Sequence, residues 1–257
     1  MSIIKKNDKY HFCWLGSINP VNVKFDYNPF QCLELNKTQI EEKISIIEKF
    51  SASGKKIEIL PLYKFLTFSK NEEGLVLKLC RTDFGEYLLT DISHPEWCLI
   101  YGDEYMSHPL SISAVTLTTD NYLIIGYRSN SVIGESGKIQ TLPGGFLHPP
   151  DSIMETTMKE LSEELAVNRE DISEVLMQGI ALVHPSGKPE ILLKITLNIS
   201  SSEILSRHGI DKWEFKKIIT IPNTRKIIED FINSEQNLTP ASHASLMCLY
   251  SQTYDYL

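Results

Sequence analysis

The sequence predicts an α/β protein in which helices cover a mixed β-sheet, preceded by a smaller α+β domain. Strand-like and helix-like segments alternate in the second half of the chain, which is typical of a sheet covered by helices. Hydrophobic residues make up 42% and charged residues 23%, as in globular proteins. The 257 residues suffice for one large or two modest domains. We place the boundary within residues 101–109, giving an N-terminal domain at 1–107 and a second domain at 108–257.

The N-terminal domain is expected to contain one helix followed by two strands. Thr38 and Glu41 are spaced as in a capping box, and isoleucines then recur at helical spacing until Gly54. Apolar stretches at residues 56–60 and 75–80 predict strands, the second introduced by a turn-prone segment.

The second domain shows a sharper alternation. Two apolar runs flank Asp120-Asn121, which predicts a hairpin with a two-residue turn. The predicted strands are residues 111–119, 122–128, 175–183, 191–199 and 213–221. The predicted helices are residues 152–166, 227–232 and 244–250.

Charge and cysteine content limit the class of protein. Asp and Glu number 33 against 25 Lys and Arg, a net charge of −8, so we expect neither a nucleic-acid partner nor a membrane surface. Apolar runs are shorter than the roughly 18 residues of a membrane span, and no signal sequence is visible. Five scattered cysteines without CxxC spacing predict reduced thiols and a cytoplasmic location. A homodimer is left open.

Three carboxylates on the predicted helix 152–166 are the strongest chemical signal. Glu160, Glu163 and Glu164 project together, and like charges at this spacing repel by a few tenths of a kcal/mol per pair. Opposite them runs an apolar stripe formed by Met154, Met158, Leu161 and Leu165. A divalent cation would turn the repulsion into attraction, and oxygen ligands suit Mg²⁺ or Mn²⁺ rather than zinc. The alternative is a solvated acidic face.

Two glycines before this helix favour the metal interpretation. Gly144 and Gly145 lack Cβ atoms, which permits a tight turn and lets a backbone carbonyl approach a metal. Residues 145–167 resemble the Nudix box, Gx5Ex7REUxEExGU, in which U is a bulky aliphatic residue. The register is kept throughout.

Three box positions depart from this pattern. Asp151 stands where the family has Glu, and Lys159 where it has Arg. In the family these two residues pair to orient the box, so the substitutions keep opposite charges but lose the bidentate fork. Ala166 replaces a glycine, which matters if this position needs a positive φ.

The resemblance implies an α/β/α sandwich that hydrolyses a nucleoside diphosphate linked to another moiety. It implies that metal ions are held by the Gly144 carbonyl and by the three glutamates, Glu160, Glu163 and Glu164. These ions would neutralise the diphosphate and deliver an activated water. The rival class is a non-hydrolytic Nudix module that acts as a nucleotide sensor or interaction domain.

The resemblance also suggests residues around the substrate. Arg128 stands where the family often has a phosphate-binding cation, with a surface arginine as the equal alternative. Gly145 and His148 belong to the box loop and could contact substrate. For His148, a loop position without a role in binding is the favoured alternative. Four of the seven histidines precede proline, which is typical of loop entries rather than of a metal cluster.

The general base and the substrate stay open at this stage. Glu164, Glu190 and Glu214 are candidates for the base, and a surface location is favoured for the last two. Residues 79–84 faintly resemble the segment before the Nudix domain in UDP-sugar pyrophosphatases, which favours nucleotide sugars, with ADP-ribose a close competitor. A further alternative is that the N-terminal unit selects the partner.

Overall fold

The computed structural model describes residues 8–55, 57–72, 74–207, 213–235 and 237–253. Within these ranges the chain forms an eight-stranded mixed sheet and a three-stranded sheet, with helices packed around them. The predicted α/β class with a mixed sheet is confirmed. Across the same ranges, no helix combines the length and apolarity needed to cross a membrane.

Eleven strands are present in the described part of the chain. They are β1 (Tyr10–Ile18), β2 (Val23–Gln31), β3 (Pro61–Asn71), β4 (Gly74–Asp83), β5 (Ser111–Leu117), β6 (Tyr122–Arg128), β7 (Ile139–Thr141), β8 (Gly144–Phe146), β9 (Ile172–Val183), β10 (Lys188–Leu197) and β11 (Phe215–Pro222). The α-helices are α1 (Lys37–Ala52), α2 (Phe84–Tyr87), α3 (Trp97–Ile100), α4 (Ile153–Leu165), α5 (Ser201–Ser206), α6 (Arg225–Ser234) and α7 (Pro240–Thr253).

The large sheet has the strand order β1-β9-β10-β5-β6-β11, with β7 paired to β6 and β8 to β5. Strands β10 and β5 run parallel and the other pairs antiparallel, which makes the sheet mixed. The small sheet has the order β2-β4-β3. Strand β1 pairs with β9, so residues before position 107 contribute an edge strand to the large sheet. The division at 107/108 stays a prediction.

The large sheet is covered on both faces because side chains alternate along its strands. On β10, Ile191 and Leu193 join the main core, whereas Leu192 between them packs in a separate cluster with α7 residues. Leu161 and Leu165 of α4 are fully buried in the main core. Helices α4 and α7 therefore lie on opposite faces of the sheet.

Two predictions in the N-terminal half are wrong in detail. Strand β3 begins at Pro61 rather than within 56–60, because pairing with β4, in which Asn71 lies opposite Gly74, selects the later run. Residue 56 lies outside the described residues. Helix α1 is capped by Asn36, whose side chain accepts from the amide of Gln39, and not by Thr38.

The expectation of reduced thiols is wrong for one pair of cysteines. Cys32 and Cys80 form a disulfide although 48 positions separate them. Cys32 follows β2 and Cys80 lies on β4, and the pairing of these strands brings the two residues together. The other cysteines, Cys13, Cys98 and Cys248, are free thiols.

Helix α4 ends on Ala166, which adopts a left-handed conformation with φ of 52° and ψ of 35°. Glycine is favoured at such a position because a Cβ is strained there. We expect Ala166→Gly to raise the free energy of unfolding by about 0.5–1 kcal/mol, after the greater entropy of glycine in the unfolded chain is included. Urea unfolding measures this change in the free energy of unfolding, provided that the m-value is the same in both proteins. An equal or lower stability would contradict the strain at Ala166.

Candidate active site

The site is built where β8 lies between β5 and helix α4. Strand β8 pairs antiparallel with β5, opposing Gly144 to Ser113 and Gly145 to Ile112. Helix α4 begins after a capping box in which the Ser152 hydroxyl accepts from the Glu155 amide and the Glu155 carboxylate accepts from the Ser152 amide. This strand and this helix place the double glycine beside the glutamates of α4.

Glu164 is buried, with 1% of its surface exposed. Its Oε1 accepts a hydrogen bond from the Gly144 amide at 3.4 Å, and its Oε2 is buried with no hydrogen-bond partner among the described residues. Glu160 is half-buried and Glu163 is exposed. The alternative of a solvated acidic face is therefore wrong for Glu164 and fits Glu163.

Gly145 makes room for the carboxylate of Glu160. A Cβ atom on Gly145 would lie 2.1 Å from Glu160 Oε1, closer than any real contact. Neither Gly144 nor Gly145 has a positive φ, so the predicted tight turn is wrong. The glycine is needed here for the close approach of a carboxylate to a strand.

The carboxylates of α4 lie in an unfavourable field. Burial raises the pKa of Glu164 well above its usual value, and the negative charges of Glu214 and Glu160 raise it further. Burial likewise raises the pKa of Glu160, with added contributions from Glu214 and Glu163. Arg128 opposes the shift at Glu164. A bound cation would relieve this repulsion, and the unpaired oxygen of Glu164 offers it a ligand.

Arg128, at the end of β6, lies in the cleft rather than on the outer surface. Its Nη1 donates to Gln140 Oε1 at 2.6 Å and to Glu214 Oε1 at 2.9 Å. Its Nε is buried without a hydrogen-bond partner in the described ranges. The surface location favoured for Glu214 is wrong, because this ion pair holds its side chain in the cleft.

Lys188 was missed by the sequence reasoning. Its Nζ contacts the Glu190 carboxylate, donates to Ser111 Oγ at 2.6 Å and lies 5.2 Å from the centre of the Phe146 ring. Glu190 is 4% exposed, so the surface location favoured for it is also wrong. The sequence signal that could have identified Lys188 is its spacing from Glu190, since residues two apart share one face of a strand.

The other residues of the predicted box are His148, Asp151 and Lys159, and the last two do not form the expected ion pair. His148 Nδ1 donates to the Pro61 carbonyl at 3.0 Å, and burial lowers the pKa of this histidine. Asp151 is half-buried and Lys159 exposed, and no ion pair within 4 Å joins them in the described structure. The Ser152 cap, rather than this pair, orients the start of α4.

Strand β8, which carries Gly144 and Gly145, borders a cleft of about 400 Å³. Its charged and aromatic lining consists of Glu58, Tyr87, Arg128, Glu135, Phe146, His148, Glu160, Glu163, Lys188, Glu190, Trp213 and Glu214. Glu58 and Tyr87 precede position 107, so residues of the predicted N-terminal domain form part of the wall.

No protein-family model matches the chain, and no curated protein matches it. Similar solved structures include a MutT protein from Methanosarcina mazei Go1, 15% identical with a TM-score of 0.40, covering 57% of this chain and 95% of that chain. A Bacillus subtilis pyrophosphohydrolase, BsRppH, is 12% identical with a TM-score of 0.40 and covers 57% and 84%. A Nudix hydrolase from Nitrosomonas europaea is 15% identical with a TM-score of 0.38 and covers 58% and 96%.

Proposed function

We propose that the chain is a Mg²⁺-dependent Nudix pyrophosphohydrolase that cleaves the diphosphate of a nucleoside diphosphate linked to another moiety. One observation carries the proposal. The Glu164 carboxylate is buried against Gly144 with an unpartnered oxygen, and the Glu160 carboxylate packs on Gly145 beside it. Buried like charges of this kind cost stability unless a cation is held there.

The residues present fit a hard divalent ion. Glu160, Glu164, the Gly144 carbonyl and Glu163 would hold Mg²⁺ or Mn²⁺, since all four groups offer oxygen. When bound, the metal supplies charge neutralisation at the diphosphate and lowers the pKa of a water molecule.

The side chains of the cleft have separate roles in the proposed reaction. Arg128 and Lys188 carry the positive charges that would bind the phosphate oxygens. A water oxygen attacks one phosphorus, the bridging P–O bond breaks, and a carboxylate takes the water proton. The products are a nucleoside monophosphate and the phosphorylated second moiety.

The charged partners of Glu164, Glu190 and Glu214 distinguish these three candidates for the general base. Glu190 is held by the ammonium of Lys188. Glu214 is held by the guanidinium of Arg128, and its negative charge raises the pKa of both Glu164 and Glu160. This arrangement favours Glu164, which forms no ion pair among the described residues, as the base over Glu190 and Glu214.

A nucleotide sugar or ADP-ribose is the proposed substrate class. The cleft volume lies within the range of about 300–1,000 Å³ that is usual for small-molecule sites. Phe146, Tyr87 and the exposed Trp213 offer rings to a base or sugar. A net charge of −8 disfavours a long RNA substrate.

A substrate panel tests the proposal. Purified protein with Mg²⁺ is assayed against nucleotide sugars, ADP-ribose, dinucleotides and nucleoside triphosphates, with phosphomonoesterase added to release phosphate from the products. We expect turnover on a nucleotide sugar or ADP-ribose and its loss in EDTA. Absence of turnover on every compound would contradict the hydrolase.

The lack of an Asp151–Lys159 ion pair favours one second candidate, a nucleotide sensor without hydrolysis. Such a module would bind a nucleotide tightly without metal-dependent cleavage, and Glu160→Gln would leave its affinity unchanged. Isothermal titration of the same panel without Mg²⁺ distinguishes the two functions.

A further inference from the structure

A second cluster of metal-ligating side chains lies in residues 98–108, which begin in α3 and lead towards β5. Cys98, Asp103 and His108 place one ligand atom each within 4.8 Å of the others. The Cys98 thiol donates to Asp103 Oδ1 at 3.1 Å. None of the three lines the cleft that contains the glutamates of α4. The chain therefore gathers a thiol, a carboxylate and an imidazole at a separate place.

His108 is held in position by the turn between β9 and β10. The imidazole is buried, with 6% of the residue exposed, and its Nε2 donates to the Ser186 carbonyl at 2.7 Å. Because a carbonyl only accepts hydrogen bonds, this contact places the proton on Nε2 and leaves the lone pair on Nδ1. A carbonyl that orients an imidazole in this way is common around metal-ligating histidines.

Backbone conformations at the cluster are unusual. His108 has a φ of 43°, in the left-handed region that a histidine seldom adopts. Gly187 has a φ of 82°, and a Cβ there would lie 3.3 Å from His108 Nε2 and 3.6 Å from Cys98 Sγ. The glycine thus lets the turn approach both side chains.

A buried carboxyl group lies next to the cluster. Asp91 accepts a hydrogen bond from the His108 amide through Oδ2 at 3.3 Å. Its Oδ1 is buried and has no hydrogen-bond partner among the described residues. Buried polar atoms without a partner are unusual, and a nearby ion or water would satisfy this one.

We propose that Cys98, Asp103 and His108 bind a zinc ion, with water completing a four-coordinate site. Thiolate and imidazole are preferred zinc ligands, whereas the all-oxygen site at α4 suits magnesium. Zn–N and Zn–O bonds of about 2.0–2.1 Å and a Zn–S bond of about 2.3 Å place tetrahedral ligand atoms about 3.3–3.5 Å apart. The ligand atoms here lie within 4.8 Å, so small rotations, above all of the exposed Asp103, close the site.

Binding replaces the hydrogen bond between Cys98 and Asp103. The thiol proton passes to solvent, and the thiolate and the carboxylate both bind the ion. The zinc would then fasten the segment that leads into β5 against the turn before β10. This role is structural and independent of the proposed hydrolysis.

The test uses the full chain in excess Mg²⁺, which fills the carboxylates of α4. Co²⁺ serves as the spectroscopic probe, and Zn²⁺ affinity is measured by competition with a chromogenic chelator. We expect one equivalent of tightly bound Zn²⁺, and a thiolate-to-cobalt charge-transfer band that Zn²⁺ abolishes. A wild-type protein without this band would overturn the proposal.

Matched variants locate the site without altering buried His108. We expect Asp103→Asn to weaken Zn²⁺ binding at least tenfold, and Glu104→Gln, its exposed neighbour, to leave the affinity unchanged. Cys98→Ser should remove the charge-transfer band, and Cys13→Ser should keep it. A band that survives Cys98→Ser, or equal affinities in Asp103→Asn and Glu104→Gln, would contradict the assignment.

Discussion

Replacing Glu164 by glutamine is expected to lower kcat by about two orders of magnitude or more, and to stabilise the metal-free protein by about 1–2 kcal/mol. Activity falls because the buried carboxylate is a proposed metal ligand. Stability rises because the change removes the cost of a buried negative charge. This charge has a single hydrogen bond, from the Gly144 amide at 3.4 Å, and is repelled by Glu160 and Glu214. Steady-state kinetics and urea unfolding in EDTA measure the two effects.

The pH dependence of stability gives this prediction a second readout. The pKa of Glu164 in the folded protein lies above its ordinary value of 4.5, so the folded state holds this proton more tightly than the unfolded state. The resulting stability is present below pH 4.5 and is lost as the pH rises through the folded pKa. We expect metal-free wild-type protein to lose stability as the pH rises above 4.5, and Glu164→Gln to lose less.

Glu163→Gln is the control on the same helix. Its side chain is exposed, so we expect a change in stability of less than about 0.5 kcal/mol in the metal-free protein. Addition of Mg²⁺ should raise the Tm of the wild type and have little effect on Glu164→Gln. Equal Mg²⁺ stabilisation of the wild type and Glu164→Gln would count against a metal ligand at Glu164.

Gly145→Ala is expected to abolish most of the activity and to cost about 1–3 kcal/mol of stability. The added methyl would lie 2.1 Å from Glu160 Oε1, so the carboxylate has to move away from strand β8. The displacement would raise the Mg²⁺ concentration needed for half-maximal activity as well as lower kcat. Kinetics at several Mg²⁺ concentrations, with circular dichroism to verify folding, measure the result.

Gly144→Ala is the matched control for this steric argument. A Cβ there would meet Gln140 Nε2 at 2.5 Å, the mobile end of a side chain, and the carbonyl proposed to bind metal is retained. We expect a smaller loss of activity than in Gly145→Ala. The reverse order would show that contact with Glu160 is not what requires a glycine.

Local patterns predicted one helix and one hairpin near the candidate site. Helix 152–166 was expected from its apolar periodicity, and α4 spans Ile153–Leu165. The hairpin at Asp120-Asn121 was expected from its turn residues and is present, although four residues rather than two lie between β5 and β6. Both signals arise within a few residues of chain, so no distant partner is needed to read them.

The environment of each charged group was decided by distant strands. Glu164 shares a helix with exposed Glu163, yet of these two only Glu164 is buried against β8. Glu190 and Glu214 were expected to be solvated, but they pair with Lys188 and Arg128. The disulfide, whose two cysteines are 48 positions apart, follows the same rule. Periodicity along a chain specifies which side chains share a face. Whether that face meets water or another strand depends on pairings between residues far apart in sequence, and no local signal encodes them.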